Sequence, residues 1–213
     1  MSAAAVPTRS ITTVLFDFAG VLTSSPWGAL SAAGGGDLEL MIGPYDEDTD
    51  HPWHRVERGE LPITEWITEV TALGAAAGVE IDFGVLAALL GEMTVHTQVV
   101  DHVRTLRVEG YRLGLITNNV REGSATWRAM VPVDELFDVV VDSSEVGMRK
   151  PNPAIFHHAL ELLDVDDPAQ AVFLDDSPGN VVGARRAGLH AIHVETPDQA
   201  LADLGRLLGP TRA

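Results

Sequence analysis

The chain has 213 residues, 46% of them hydrophobic, enough to bury a substantial core as one large domain or as a core domain carrying a smaller insert. Against 14 basic residues stand 31 acidic ones, a formal charge of −17 that opposes nucleic acid and anionic membranes and reads as a solubilising acidic surface. With no cysteine, disulfides, thiolate nucleophiles and cysteine-based zinc sites are excluded, and no segment approaches the ~20 apolar residues of a membrane helix.

The opening "MSAAAVPTRSITTV" lacks a basic segment followed by an apolar run, so a secretory signal is not expected and a cytoplasmic protein is. Residues 11–17, "ITTVLFD", are β-branched and apolar and end in an acid, the pattern of a buried strand meeting solvent at its C-terminal end. Residues 27–97 break the regularity that follows. They hold a short glycine run, the acidic "YDEDTD" at 45–50, and apolar stripes at helical spacing over 63–78 and 83–93. They read as a small helical cap inserted after the first strand, the core domain being residues 1–26 and 98–213.

Beyond residue 97 a helix is predicted over 98–109, then a strand in "YRLGLITNN" that ends in Thr117-Asn118-Asn119. Asn119, with Glu122 three residues on, predicts a reciprocal helix cap. A strand follows from about 137 to 141. Asn152-Pro153, Ser177-Pro178 and Thr196-Pro197 each put a capping side chain before a proline, predicting helices over 153–163, 178–187 and 197–208. Apolar runs ending in Asp175-Asp176 and over 190–195 complete the strands. Strands alternating with helices predict an α/β fold, a Rossmann-like parallel sheet covered on both faces. Ligands of such sheets bind beyond the C-terminal strand ends, and three strands carry polar residues there.

Singly, each of these polar residues has a plain structural role. Asp17 fits a turn, Thr117 to Asn119 a helix cap, Lys150 a loop before a proline, and Asp175-Asp176 the loop ahead of Pro178. Together, in order at one sheet edge, they describe a reaction site. Three carboxylates there repel one another, which calls for a hard divalent cation with oxygen ligands. Lys150, the chain's single lysine, supplies a compact positive charge.

The ordered set, with the wording "HPWHRVERGEL", "LITNN", "SEVGMRKPNPAIF" and "AVFLDDSPGNVVGARRAGL", resembles the haloacid dehalogenase superfamily. Within it, the chain looks like the phosphatase-like N-terminal domain of soluble epoxide hydrolases and its bacterial relatives, over about residues 11–205. The resemblance implies a Mg²⁺-dependent phosphatase-like hydrolase acting on a small phosphorylated molecule. Asp17 would be the nucleophile that forms an aspartyl-phosphate. Mg²⁺ would be held by Asp17, Asp175, Asp176 and the backbone carbonyl of Ala19. Thr117 and the Asn118 N–H would bind phosphoryl oxygens, and Lys150 would offset the charge of nucleophile and transferring group. Thr23, Trp27, Trp53 and His54 are the candidates for substrate selection. The remaining histidines and tryptophans read as packing, and the sequence leaves the oligomeric state open.

One position departs from the pattern. Where such phosphatases carry a second aspartate, which protonates the leaving oxygen and later activates water, this chain has Ala19. A positioned acid–base contributes ~10²–10⁴-fold, so alkyl phosphates are expected to turn over poorly. The expected substrates are acyl, enol or anhydride phosphates, or another residue such as Thr23 or a cap histidine stands in. A phosphonoacetaldehyde hydrolase, which shares the alanine, needs a cap lysine that is absent here. A true dehalogenase needs no metal and typically lacks the acidic pair. A weakly active or non-catalytic binding protein is the alternative of a different class.

Overall fold

Apolar, β-branched runs become strands where the sequence places them. In the computed structural model, which describes residues 10–25, 36–44, 46–84 and 91–209, the strands are β1 (Thr13–Phe16), β2 (Arg112–Thr117), β3 (Val139–Asp142), β4 (Ala171–Asp175) and β5 (His190–His193). All pairings are parallel, in the order β3-β2-β1-β4-β5. The chain leaves β1 toward β2 and β3, then returns to the other side of β1 as β4. That reversal creates a crevice between the C-terminal ends of β1 and β4, where ligands of open parallel sheets bind.

The described helices, in chain order, are α1 (Gly36–Ile42), α2 (Pro52–Glu57), α3 (Ile63–Ala77), α4 (Thr97–Val108), α5 (Ser124–Met130), α6 (Val133–Leu136), α7 (Ser143–Val146), α8 (Pro153–Leu162), α9 (Pro178–Arg186) and α10 (Pro197–Leu208). Successive strand residues point to opposite faces, and each face has its own core. Val14, Phe16, Leu113, Leu115, Val172 and Leu174 pack with α4 and α10. Leu15, Ile116, Val141 and Phe173 pack with α8 and α9. This is the expected α/β architecture with both faces covered.

Three proline-led helices start as their sequence signals predict: Asn152, Ser177 and Thr196 each accept a backbone N–H of the first turn through the side chain. The signal at Asn119 does not become a cap. Its side chain donates to Thr117 Oγ1 at 3.1 Å, and α5 starts at Ser124 with no side-chain cap. Glu122 instead accepts the backbone N–H of Ile63 at 3.1 Å, serving the first turn of α3, which lies 59 residues away in sequence.

Between β1 and α4 the described residues build a third, separate hydrophobic cluster. Met41, Ile42, Trp53, Val56, Leu61, Trp66 and Val70 come from α1, α2 and α3 and the turn between α2 and α3. Trp66 packs 5.1 Å from Trp53 between ring centroids and donates its indole N–H to Met41 O. The predicted helix over 83–93, the glycine run and Trp27 fall wholly or largely outside the described residues.

Candidate active site

Phe16, the last residue of β1, lies opposite Leu115 of β2 and Leu174 of β4. That register puts the next residue, Asp17, level with Asp175, and the Asp17 N–H donates to Leu174 O at 2.9 Å. Lys150 enters from the loop before α8 and bridges the two acids. Its Nζ is 2.7 Å from Asp17 Oδ1 and 2.8 Å from Asp175 Oδ2. Exposure is 7% for Asp17, 1% for Lys150 and 0% for Asp175, so this triad is not a surface ion pair. Burial pushes the Asp17 carboxyl well above its ordinary range; Lys150 opposes that shift, while Asp175 and Asp176 add to it. Burial works against the charge on Lys150, but the two carboxylates outweigh it and raise its pKa.

Neighbouring polar groups fix Lys150 and Asp175. Asn118 exchanges two hydrogen bonds with the backbone of Lys150: its Nδ2 donates to Lys150 O at 3.0 Å and its Oδ1 accepts the Lys150 N–H at 2.9 Å. Asn180, in the first turn of α9, donates to both oxygens of Asp175, and the Ser177 N–H donates to Oδ1. Thr117, buried at the end of β2, accepts from Asn119.

The third acid lies beside them. Carboxylate oxygens of Asp17, Asp175 and Asp176 fall within 4.8 Å of one another. Asp176 Oδ1 is buried without a hydrogen-bond partner, and burial, reinforced by Asp175, pushes the Asp176 carboxyl up to about 6. Gly20 holds this corner open: its φ is +81°, and a Cβ there would stand 2.2 Å from the Asp176 carboxylate. An all-oxygen donor set with an orphaned oxygen and a surplus of negative charge fits a hard divalent cation.

Two cavities open at the strand ends. The smaller, about 30 Å³, is lined by Asp17, Ala19, Trp53, Glu57, Arg149 and Lys150, among others. The larger, about 260 Å³, is mainly apolar. It shares Ala19, Trp53, Glu57 and Asn118 with the first and continues past Phe18, Met93, Trp127 and Met130.

A family model described as haloacid dehalogenase-like hydrolase matches residues 11–188. The chain belongs to that family. Among its relatives, mouse acyl-CoA dehydrogenase family member 10 is 31% identical over 216 residues, covering 94% of this chain and 19% of that protein. Mouse bifunctional epoxide hydrolase 2 is 23% identical over 185 residues, covering 80% of this chain and 33% of that protein. This haloacid dehalogenase-like chain thus spans less than half the length of these curated relatives. A haloacid dehalogenase-family enzyme from Bacteroides thetaiotaomicron, solved in complex with magnesium and inorganic phosphate, superposes with a TM-score of 0.62 at 21% identity. The match covers 87% of this chain and 96% of that one.

Within this family member, the four substrate-selection candidates separate. Trp53 lines both cavities. Trp27 is outside the described residues. Thr23 lines neither cavity; it is fully buried, with its hydroxyl donating to backbone oxygens of Phe18 and Ser24, so it secures the turn after β1. His54 also lines neither. Its Nδ1 accepts the Thr49 N–H at 3.0 Å, which puts the ring proton on Nε2, a buried nitrogen with no partner.

Burial, helped by Arg149, lowers the His54 pKa from 6.5 to about 3. The unfolded chain therefore binds a proton there that the fold refuses, and stability present above pH 6.5 is lost as pH falls. His54→Gln is expected to remove about 3 kcal/mol of the stability lost between pH 6.5 and 4. Urea denaturation at both pH values checks this, and an unchanged pH slope contradicts it.

Two further residues of the site, Arg149 and Glu57, lie within the family-like stretches but have no role assigned by the sequence. Arg149 is 2% exposed, and its Nε donates to Glu57 Oε2 at 2.7 Å. Its Nη1 donates to Glu47 O. Glu57 is 5% exposed, at the end of α2. Asp46 also reaches the α9 N-terminus, accepting from Ser177 Oγ at 2.9 Å and Gly179 N at 2.8 Å.

Proposed function

We propose that the chain is a Mg²⁺-dependent phosphohydrolase that acts on a small phosphorylated molecule through an aspartyl-phosphate at Asp17. The observation that carries this reading is the Lys150 ammonium, buried within 2.8 Å of both the Asp17 and Asp175 carboxylates at the sheet's switch point. Burying charges costs free energy that a buried pair often does not recover as stability, so the placement of a lone lysine here points to function. Mg²⁺ would be held by Asp17, Asp175, Asp176 and the Ala19 carbonyl. Bound there, it would neutralise charge between the nucleophile and the phosphoryl oxygens.

The protein's own groups divide the remaining work. Asp17 Oδ1 is occupied by the Phe18 N–H and Lys150, both at 2.7 Å. Oδ2 makes no hydrogen bond among the described residues and is the oxygen open to attack phosphorus. Lys150 offsets charge on the nucleophile. Thr117 and the Asn118 backbone N–H hold phosphoryl oxygens, while the Asn118 side chain keeps Lys150 in place. Residues 27–97 act as the cap and residues 1–26 and 98–213 as the catalytic domain, a division supported by the separate apolar cluster between β1 and α4. The larger cavity, lined by Trp53, Trp127, Met93 and Met130, suits an apolar leaving group.

Ala19 provides no proton for that leaving group, so the suitable substrates are aryl, acyl, enol or anhydride phosphates. Hydrolysis of 4-nitrophenyl phosphate and acetyl phosphate is expected with Mg²⁺ and lost on chelation. No turnover of either, with or without Mg²⁺, overturns the reading. Ala19 also favours a second reading, a binding protein for phosphorylated ligands. It predicts Mg²⁺-dependent phosphate affinity with no phosphorylated Asp17.

A further inference from the structure

Resting on that reading, we infer that Glu57 is the base that activates water to hydrolyse the aspartyl-phosphate, in place of the carboxylate missing at position 19. In this step a water oxygen attacks phosphorus. The bond from phosphorus to the Asp17 oxygen breaks, and its electron pair returns to Asp17. One water proton passes to Glu57 Oε1 and from there to solvent, and inorganic phosphate leaves.

Four observations converge on Glu57. Apart from the nucleophile, it is the only carboxylate among the described residues that lines either cavity of the site. The small cavity it shares with Asp17, Ala19 and Lys150, about 30 Å³, has room for water beside the nucleophile. Oε2 is taken by Arg149 at 2.7 Å, whereas Oε1 makes no hydrogen bond among the described residues. Finally, Glu57 is the last residue of α2, where the helix dipole disfavours negative charge. Helix stability therefore does not account for an acid there, and Arg149 offsets its cost.

The pairing also sets the direction of proton transfer. Arginine is charged at any working pH, and Glu57 faces it as a salt-bridge partner 92 residues away in sequence. With Oε2 accepting from Arg149, Oε1 is left as a free acceptor, suited to take a proton. It serves the second half of the reaction, where water must lose a proton, and not the first, where an alkoxide must gain one. Ala19 and Glu57 together thus describe an enzyme that can break its phosphoenzyme yet needs a leaving group that departs unprotonated.

The test is rapid-mixing kinetics on Glu57→Gln with 4-nitrophenyl phosphate and Mg²⁺. Glutamine still accepts from Arg149, so the contact between segments is kept. The expected result is an intact burst of one nitrophenolate per site, then a steady state slowed about 10²-fold or more. Acid-quenched phosphoprotein should rise correspondingly. Burst and steady state falling together, or neither changing, would overturn the assignment. Glu57→Ala with added formate is the second arm: formate should restore turnover, and no restoration in a variant that still shows the burst counts against a base at this position. Wild-type protein that forms no phosphoenzyme and turns over no phosphate removes the phosphohydrolase reading itself, a result distinct from either variant's.

Discussion

Asp17→Asn is expected to lower Mg²⁺-dependent hydrolysis of 4-nitrophenyl phosphate by on the order of 10⁴-fold or more, with the fold retained. The two halves of this expectation have separate causes. Asparagine cannot form the mixed anhydride with phosphate, so covalent catalysis ends whatever else the site preserves. Stability survives because the substitution removes one of three carboxylates crowded within 4.8 Å. Burial and its acidic neighbours already make the Asp17 charge costly, and Lys150 keeps Asp175 as a partner at 2.8 Å. In metal-free protein at neutral pH the variant should therefore melt close to wild type, the lost repulsion offsetting the lost ion pair. Activity assays beside thermal melts, both with and without Mg²⁺, check the two halves independently. Activity that survives the change removes Asp17 as nucleophile; a large drop in melting temperature contradicts the electrostatic account of the cluster.

How much of this was visible in the sequence depends on whether a signal is local. Asp17 and Asp175 each end an apolar run, and parallel pairing in register is enough to bring them together, so the carboxylate cluster was legible. Lys150 was legible because no other lysine competes with it. The proline-led helices were legible because Asn152, Ser177 and Thr196 cap the turn immediately after themselves. Signals failed where the partner is remote. Glu122 sits at the spacing of a local capping box, yet its carboxylate serves α3. Arg149 looks like one more of thirteen arginines until the fold buries it against Glu57. Glu57 lies on a six-residue helix with no amphipathic period to read. Asn180, which holds both oxygens of Asp175, looks from sequence like an ordinary first-turn residue. His54 failed differently: a histidine near a site suggests chemistry, but its ring is spent on Thr49 and on burial.

Ala19→Asp is expected to raise turnover of simple alkyl phosphates by ~10²–10⁴-fold, while changing 4-nitrophenyl phosphate turnover by no more than a few-fold. Ala19 lines both cavities, so a carboxyl on its Cβ would enter the space between the nucleophile and the apolar chamber where the leaving group departs. A protonated carboxyl there supplies what an alkoxide lacks and a nitrophenolate does not need, and this difference separates the two substrates. The cost is a fourth acid beside Asp17, Asp175 and Asp176, which Lys150 opposes in the absence of metal. Crowding of like charges raises a carboxyl's pKa, which here helps, because the acid must enter the first step carrying its proton. The comparison also tests the division of labour between the two positions. If Glu57 already takes the proton from water, the introduced carboxyl adds only to the first step, and gains should follow the basicity of the leaving group. A gain of equal size for both substrates would mean that Ala19 leaves the second step unserved as well. No gain for alkyl phosphates would mean that the chamber beyond Ala19 does not receive the leaving group at all.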